Sequence, residues 1–288
     1  MEKMTRRTFL KRGLGFLAAG ILTASGGYSY ARYIEPHMIN ITRHTIRHRL
    51  IPRGFDKFRI VQFTDTHLSD VYTSKDLDKV VQKINQLKPD LIAFTGDLID
   101  KPHLYQDHQR ALSALQKLQA PFGKLCVYGN HDHGGYGTNT YKALMEEAGF
   151  QVKRNGYERL RLTDGSSIEI AALDDLMLGK PDYEGTLSQL SADVFSILLV
   201  HEPDAALEIG GYPVNLQLSG HTHGGQIQLP FFGPLITPPY GKIYTDGMYT
   251  LNDTAIYVNR GLGTTRLPLR FLAKPEIALF TLKCAAQK

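Results

Sequence analysis

Only two of the 288 residues are cysteine and none is tryptophan. Two cysteines cannot staple a chain of this length, so a disulfide-built scaffold is excluded and the fold must rest on a hydrophobic core. Cys126 lies in the apolar run Leu125-Cys126-Val127 and reads as a small buried side chain; Cys284 falls in the polar tail. An excess of one charge is also lacking. The 33 Lys and Arg against 28 Asp and Glu give +5, but residues 1–31 hold Lys3, Arg6, Arg7, Lys11 and Arg12 against Glu2 alone, which leaves +1 for the rest. That remainder has no broad basic field, so a nucleic-acid partner is not expected. Long apolar runs are missing too: residues 14–24 fall short of the ~20 that span a bilayer. Apolar material itself is ample. At 42% hydrophobic and 21% charged, the chain is not disordered and can bury a large core.

The first 31 residues read as an address. Thr5-Arg6-Arg7-Thr8-Phe9-Leu10-Lys11 precedes the apolar stretch, and Ser29-Tyr30-Ala31 offers small residues at cleavage positions. The arginine pair followed by Phe-Leu-Lys resembles a twin-arginine signal, which implies export of a folded protein by the twin-arginine translocase. The expected organisation is a signal over 1–31, a linker over 32–36 and a single domain over 37–288. Oligomeric state is not legible.

No internal repeat interrupts the remainder. Strands are expected at 58–63, 91–95 and 124–128, alternating with helices at 73–87, 105–118 and 140–148; Leu77, Val80, Val81 and Ile84 share one helical face. From residue 150 the pattern shifts to short strands at 168–173, 195–200, 214–218, 226–229, 255–258 and 277–282. The proline-rich connection 230–241 is too long for a tight turn and is a candidate wall of a binding site. The layout predicts an α/β fold of two mixed sheets packed face to face with helices outside.

Five segments place metal-ligating side chains just past a predicted strand, where open α/β sheets put their sites. They are Asp65-Thr66-His67, Gly96-Asp97, Gly129-Asn130-His131-Asp132, His201 and Gly220-His221-Thr222-His223. Oxygen and imidazole donors without thiolates suit Mn, Fe or Zn. The set is too rich for one ion, and a carboxylate such as Asp97 can bridge two ions about 4 Å apart. No His-x-His-x-Asp-His run of the metallo-β-lactamase kind occurs. His37, His44, His48, His103 and His108 lie outside the pattern and are expected at the surface; His133 is a pocket neighbour without a role.

In this order the motifs resemble those of the calcineurin-like metallophosphoesterase superfamily, over the whole chain after the leader, and with that leader they resemble its exported or membrane-associated members. The resemblance implies a four-layer α/β/β/α sandwich with a dinuclear centre at the strand ends. It implies that Asp65, His67 and His223 bind one metal, Asp97 bridges, and Asn130, His201 and His221 bind the other. The two ions would lower the pKa of a shared water that attacks phosphorus in line. His131 would serve the leaving group as a proton donor, with Asp132 orienting its imidazole. Purple acid phosphatases resemble the pattern but bring a tyrosine to the metal, and nothing marks one here. Mn²⁺, Fe²⁺ or Zn²⁺ are expected, Mn²⁺ favoured.

For the substrate, Arg260 and Arg266 stand near the C-terminus with guanidinium groups suited to phosphate oxygens. Together with export, this favours a phosphodiester or pyrophosphate of envelope material, including lipid-linked or cell-wall phosphodiesters. A phosphomonoesterase and a catalytically idle metal-binding or wall-binding module remain as alternatives.

Overall fold

The computed structural model describes residues 5–133 and 137–285. Helix α1 (Arg6–Ser29) runs on into a π turn (Tyr30–Ile34) and a 3₁₀ turn (Glu35–His37). No helix among the described residues is long and apolar enough to cross a membrane. Residues 32–36, expected as a linker, adjoin well-anchored points. The Ala31 carbonyl accepts from the Arg270 amide at 2.9 Å, and the buried Glu35 carboxylate accepts from the Ala273 amide at 2.6 Å.

The first half of the body alternates strands and helices: β1 (Asn40–His48), β2 (Arg59–Phe63), α2 (Ser74–Gln86), β3 (Leu91–Phe94), α3 (His108–Leu115), β4 (Lys124–Cys126), α4 (Asn130–His133), α5 (Gly137–Glu147) and β5 (Gln151–Val152). The second half is strand-rich: β6 (Gly156–Arg161), β7 (Ser167–Ala172), α6 (Tyr183–Leu187), β8 (Ser196–Leu199), β9 (Leu216–Ser219), the small hairpin β10 (Gln228–Leu229) and β11 (Gly233–Pro234), then β12 (Gly247–Leu251), β13 (Thr254–Val258) and β14 (Glu276–Cys284). One six-stranded sheet has the order β1-β14-β2-β3-β4-β5 and the other β12-β13-β9-β8-β7-β6. Each is mixed. β14 is antiparallel to β2, and β6 and β12 are antiparallel to their neighbours, while β2 to β5 and β7 to β9 run parallel.

Strand alternation builds the layers. In β2, Ile60 enters the apolar layer between the sheets, with Ala93, Leu125, Ile197, Leu199, Leu216 and Leu218. Val61 and Phe63 face the other way, into the layer under α2, α3 and α5. Helix α2 meets it with Leu77, Val80, Val81 and Ile84, all buried; each such side chain contributes about 1.5–3 kcal/mol. Its cap is Thr73: Asp76 reaches back to accept from the Thr73 amide as Thr73 caps the first turn. A third layer, with Leu187, Leu198, Val200, Ala205 and Ile256, closes the outside of the second sheet. The result is the α/β/β/α sandwich. His44 departs from its expected surface place: its ring is half-buried, with ring centroids 4.5 Å from Tyr257 and 5.4 Å from Phe280. His48, also half-buried, lies against Phe195.

Candidate metal centre

Parallel strands β2, β3, β4, β8 and β9 end on one side of the sandwich, so the loops that follow them converge there. Asp65 and His67 follow β2, Asp97 follows β3, Asn130 opens α4 after β4, His201 follows β8, and His221 and His223 follow β9. The backbone bends hard to turn these side chains inward. Asp65 (φ 50°), His67 (41°), Asp97 (59°), His221 (71°) and His223 (52°) all lie in the left-handed region. Asp and His enter that region more readily than most residues, yet each such conformation still costs about 1–3 kcal/mol. Strain concentrated on the candidate ligands is the first structural sign that they act together.

The distances are the second. Asp97 Oδ2 lies 3.3 Å from both His67 Nε2 and His201 Nε2, between them, as a bridging carboxylate must. Asp65 Oδ1 lies 3.3 Å from His223 Nε2 and 3.8 Å from His67 Nε2. Three sets, Asp65/His67/His223, His67/Asp97/His131 and Asp65/Asp97/His201, each hold their donor atoms within 4.8 Å of one another. His221 turns Nε2 to the Pro239 carbonyl at 2.8 Å, which leaves Nδ1 as its free donor; its ring lies 4.9 Å from that of His201. Its amide donates to the Asp65 carboxylate at 3.0 Å.

The donors are arranged for cations rather than for one another. His201 Nδ1 meets the Thr95 carbonyl at 2.6 Å, which fixes the ring and points Nε2 inward, where it is buried with no hydrogen-bond partner. Asn130 Oδ1 is likewise buried and unpartnered. The Nε2 atoms of His67 and His223 face each other at 3.0 Å. Two imidazole nitrogens and lone oxygen donors aimed at one small volume fit metal ions held through N and O ligands.

The electrostatics agree. Burial pushes the Asp65 carboxyl up, but His223 and His201 beside it hold it well below the usual range; Asp97 is held down in the same way by His201 and His131. Burial lowers His67 and His201, and the adjoining carboxylates outweigh it and raise both well above 6.5. His221 and His223 are pushed down to about 4, by burial first and by neighbouring positive groups after it. Two buried carboxylates thus stay ionised and draw positive charge to themselves.

His131 stands at the edge of this cluster. Its side chain is 26% exposed, against 4% or less for those of His67, His201 and His223, and its ring lies edge-on to His67 at 4.5 Å. The expected orienter is not where it was expected. The Asp132 carboxylate takes the amides of Asp97 (2.7 Å), Leu98 (3.0 Å) and Gly129 (2.9 Å) and makes no contact with the His131 ring. Asp100 performs that positioning instead: its carbonyl meets His131 Nδ1 at 2.7 Å and its carboxylate lies 3.3 Å from His67 Nδ1. Nothing in the spacing Asp97-Leu98-Ile99-Asp100 announces this role. Burial and the charge of Asp97 push Asp132 up to about 7, against the pull of the three amides.

Arg260 does not reach the site as a free guanidinium: Nε pairs with Glu276 at 3.0 Å and Nη1 lies 3.8 Å from Asp246. Arg266 is exposed and borders a cavity of about 570 Å³ lined also by Leu68, Val71, Asp100, Lys101, Leu104, Tyr105 and Leu267. Arg270 is fully buried, donating to the carbonyls of Gly263, Ala273 and Arg260, with Nη2 3.3 Å from His223 Nδ1. His133 pairs with the buried Asp174 at 2.6 Å. The connection 230–241 touches the centre only by its inner end, at Pro239; Phe231 and Phe232 at its tip face outward.

The chain is similar to known proteins. A family model for calcineurin-like phosphoesterases matches residues 58–225. The uncharacterized metallophosphoesterase YkuE of Bacillus subtilis (strain 168) is 71% identical over 98% of this chain and 99% of its own length. Phosphodiesterase YaeI of Escherichia coli (strain K12) is 30% identical, over 97% of this chain and 99% of its own. The UDP-2,3-diacylglucosamine pyrophosphatase LpxG of Chlamydia trachomatis is 27% identical, over 91% of this chain and 94% of its own. With its ligand-bearing loops inside the matched span, this chain belongs to the calcineurin-like phosphoesterase family and is a metal-dependent phosphoester hydrolase.

Proposed function

We propose that the protein hydrolyses phosphodiester or pyrophosphate bonds of envelope material, including lipid-linked esters, outside the cytoplasmic membrane. The observation that carries the chemistry is the bridging position of Asp97 between His67 and His201. Asp65, His67 and His223 would hold one divalent cation, Asn130, His201 and His221 a second, and Asp97 both; the all N/O set suits Mn²⁺, Fe²⁺ or Zn²⁺ alike, and Mn²⁺ is the favoured choice. When bound, the ions supply an activated water and neutralise charge on the phosphoryl oxygens. The chain does the rest. His131, held at Nδ1 by the Asp100 carbonyl, keeps Nε2 for a proton or hydrogen bond to the leaving oxygen. The neighbouring cavity receives the part of the ester beyond phosphorus. Its apolar lining of Leu68, Val71, Leu104 and Leu267 suits an acyl or prenyl chain, and Arg266 and Lys101 suit a second phosphate.

Two relatives favour diesters and pyrophosphates, since YaeI is named a phosphodiesterase and LpxG a pyrophosphatase of an acylated sugar nucleotide. Export by the twin-arginine translocase is supported by the Arg6-Arg7 pair and the apolar stretch behind it. The test is hydrolysis of a chromogenic phosphodiester with Mn²⁺, comparing wild type, Asp97→Ala and His131→Ala. Asp97→Ala is expected to lose metal and activity. His131→Ala is expected to keep metal and slow by about 10²–10⁴-fold. Equal rates in all three proteins would overturn the mechanism.

A further inference from the structure

The tip of the hairpin β10–β11 and the segment beside it expose apolar side chains that the catalytic centre does not use. Phe231 is 105% exposed, Phe232 85% and Ile236 74%, with Leu235, Leu267 and Leu272 about half exposed. A single exposed apolar residue is ordinary on a protein surface. A contiguous group is not.

This group is held out rigidly. Gln226 and Gln228 exchange backbone hydrogen bonds with Phe271, each at 2.8 Å, which locks the hairpin to residues 270–272. The returning chain is pinned where the Asp204 carboxylate accepts the amides of Lys242, Ile243 and Tyr244. Pro239 ties the same loop to His221, and Thr265 lies 3.3 Å from Asp100. The inner end of this connection and the Thr265 loop therefore border the metal centre, and the apolar tip lies further out on the same connection.

Charge complements the apolar surface. Residues 209–245 and 254–275 contain no Asp or Glu. Lys242, Arg266 and Lys274 are exposed there and pair with no acid among the described residues. The π turn that follows α1 packs on the same strip, Tyr30 edge-on to Phe271 with ring centroids 6.3 Å apart.

We propose that this face docks on an anionic lipid bilayer, with Phe231, Phe232, Leu235 and Ile236 entering the interface and the lysines and Arg266 meeting lipid phosphates. Exposed aromatic and aliphatic side chains beside cations are what peripheral membrane binding requires. Docking would set the mouth of the centre at the lipid surface. It builds on the lipid-linked reading above, but its test does not involve hydrolysis, so either can fail alone.

The absence of native tryptophan permits a direct test in the full chain. Phe231→Trp places a single probe at the tip, and Phe122→Trp places one before β4, at the opposite ends of the strands. With phosphatidylglycerol vesicles carrying brominated acyl chains, the emission of the tip probe is expected to shift to the blue and to be quenched, and high salt to reverse both. The probe at position 122 is expected to do neither. Two results would overturn the proposal. In one, the protein sediments with vesicles through α1 while the tip emission is unchanged. In the other, the shift appears without lipid and grows with protein concentration, which would mean a second copy covers this face.

Discussion

Three backbone amides, those of Asp97, Leu98 and Gly129, end on the Asp132 carboxylate. That is how Asp97, three residues from Asp100 and itself in a left-handed conformation, is held at the bridging point. Two neighbouring carboxylates thus have opposite surroundings, one turned among the candidate imidazole ligands and the other holding the loop that carries the first. Asp132→Asn keeps size but turns an N–H donor toward amide donors. A buried donor left unpaired costs about 1–3 kcal/mol, so the variant is expected to lose about that much stability by denaturant unfolding and to bind metal more weakly. If Asp132 instead oriented His131, stability and metal content would hold and only the pH dependence of the rate would move.

At the level of elements, what could be read in the chain follows position in the sheets. Eight interior strands, β2, β3, β4 and β14 in one sheet and β7, β8, β9 and β13 in the other, fall where apolar runs predict them. The four edge strands, β1, β5, β6 and β12, are missed. An edge strand faces water along one side and need not be apolar. β1 reads Asn-Ile-Thr-Arg-His-Thr-Ile-Arg-His and β6 reads Gly-Tyr-Glu-Arg-Leu-Arg, so neither shows a buried run. The candidate ligands could be picked out for the converse reason: each segment that carries them follows an interior strand. Asp100, Asp204 and Arg270 could not, because their partners are backbone groups or side chains remote in sequence.

The loop 260–270 shows how tightly these elements are fitted. Gly263 passes so close to the Thr66 carbonyl that an added Cβ would overlap it and press on His67 Cβ. Gly263→Ala must therefore displace either this loop or the turn that carries Asp65 and His67. Overpacking of this kind costs about 1–3 kcal/mol, and here the cost falls on ligand geometry. Activity and metal content are expected to drop together, while Gly210→Ala, with nothing within 4 Å of the added methyl, leaves both intact. Unchanged metal binding in Gly263→Ala would show that the approach is slack.

Across the whole molecule, the centre joins two sheets. The first sheet supplies Asp65, His67, Asp97 and Asn130, and the second supplies His201, His221 and His223. Apolar packing already holds the sheets together, and Gln62 donates across to the Ser219 carbonyl at 3.0 Å, so removing the ions should loosen this end without unfolding the protein. Each ion present at about a hundredfold over its Kd would stabilise by about 2.7 kcal/mol. In a domain of this size that corresponds to a Tm change of about 5–10 °C per ion. Chelation is expected to lower Tm by at least the one-ion amount and Mn²⁺ to restore it, while Asp97→Ala responds to neither. The gap should also depend on pH. Without ions, Asp65 and Asp97 rely on protonated His67 and His201, whose pKa values are raised well above 6.5 by those carboxylates against the effect of burial. A raised folded-state pKa gives stability that is complete below about 6.5 and is lost as pH climbs through the raised value. The chelated protein should therefore weaken steadily above neutrality while the Mn²⁺-loaded protein does not, so that the difference in Tm widens. A difference that stays flat or narrows with rising pH would mean that imidazolium does not take the place of the cations.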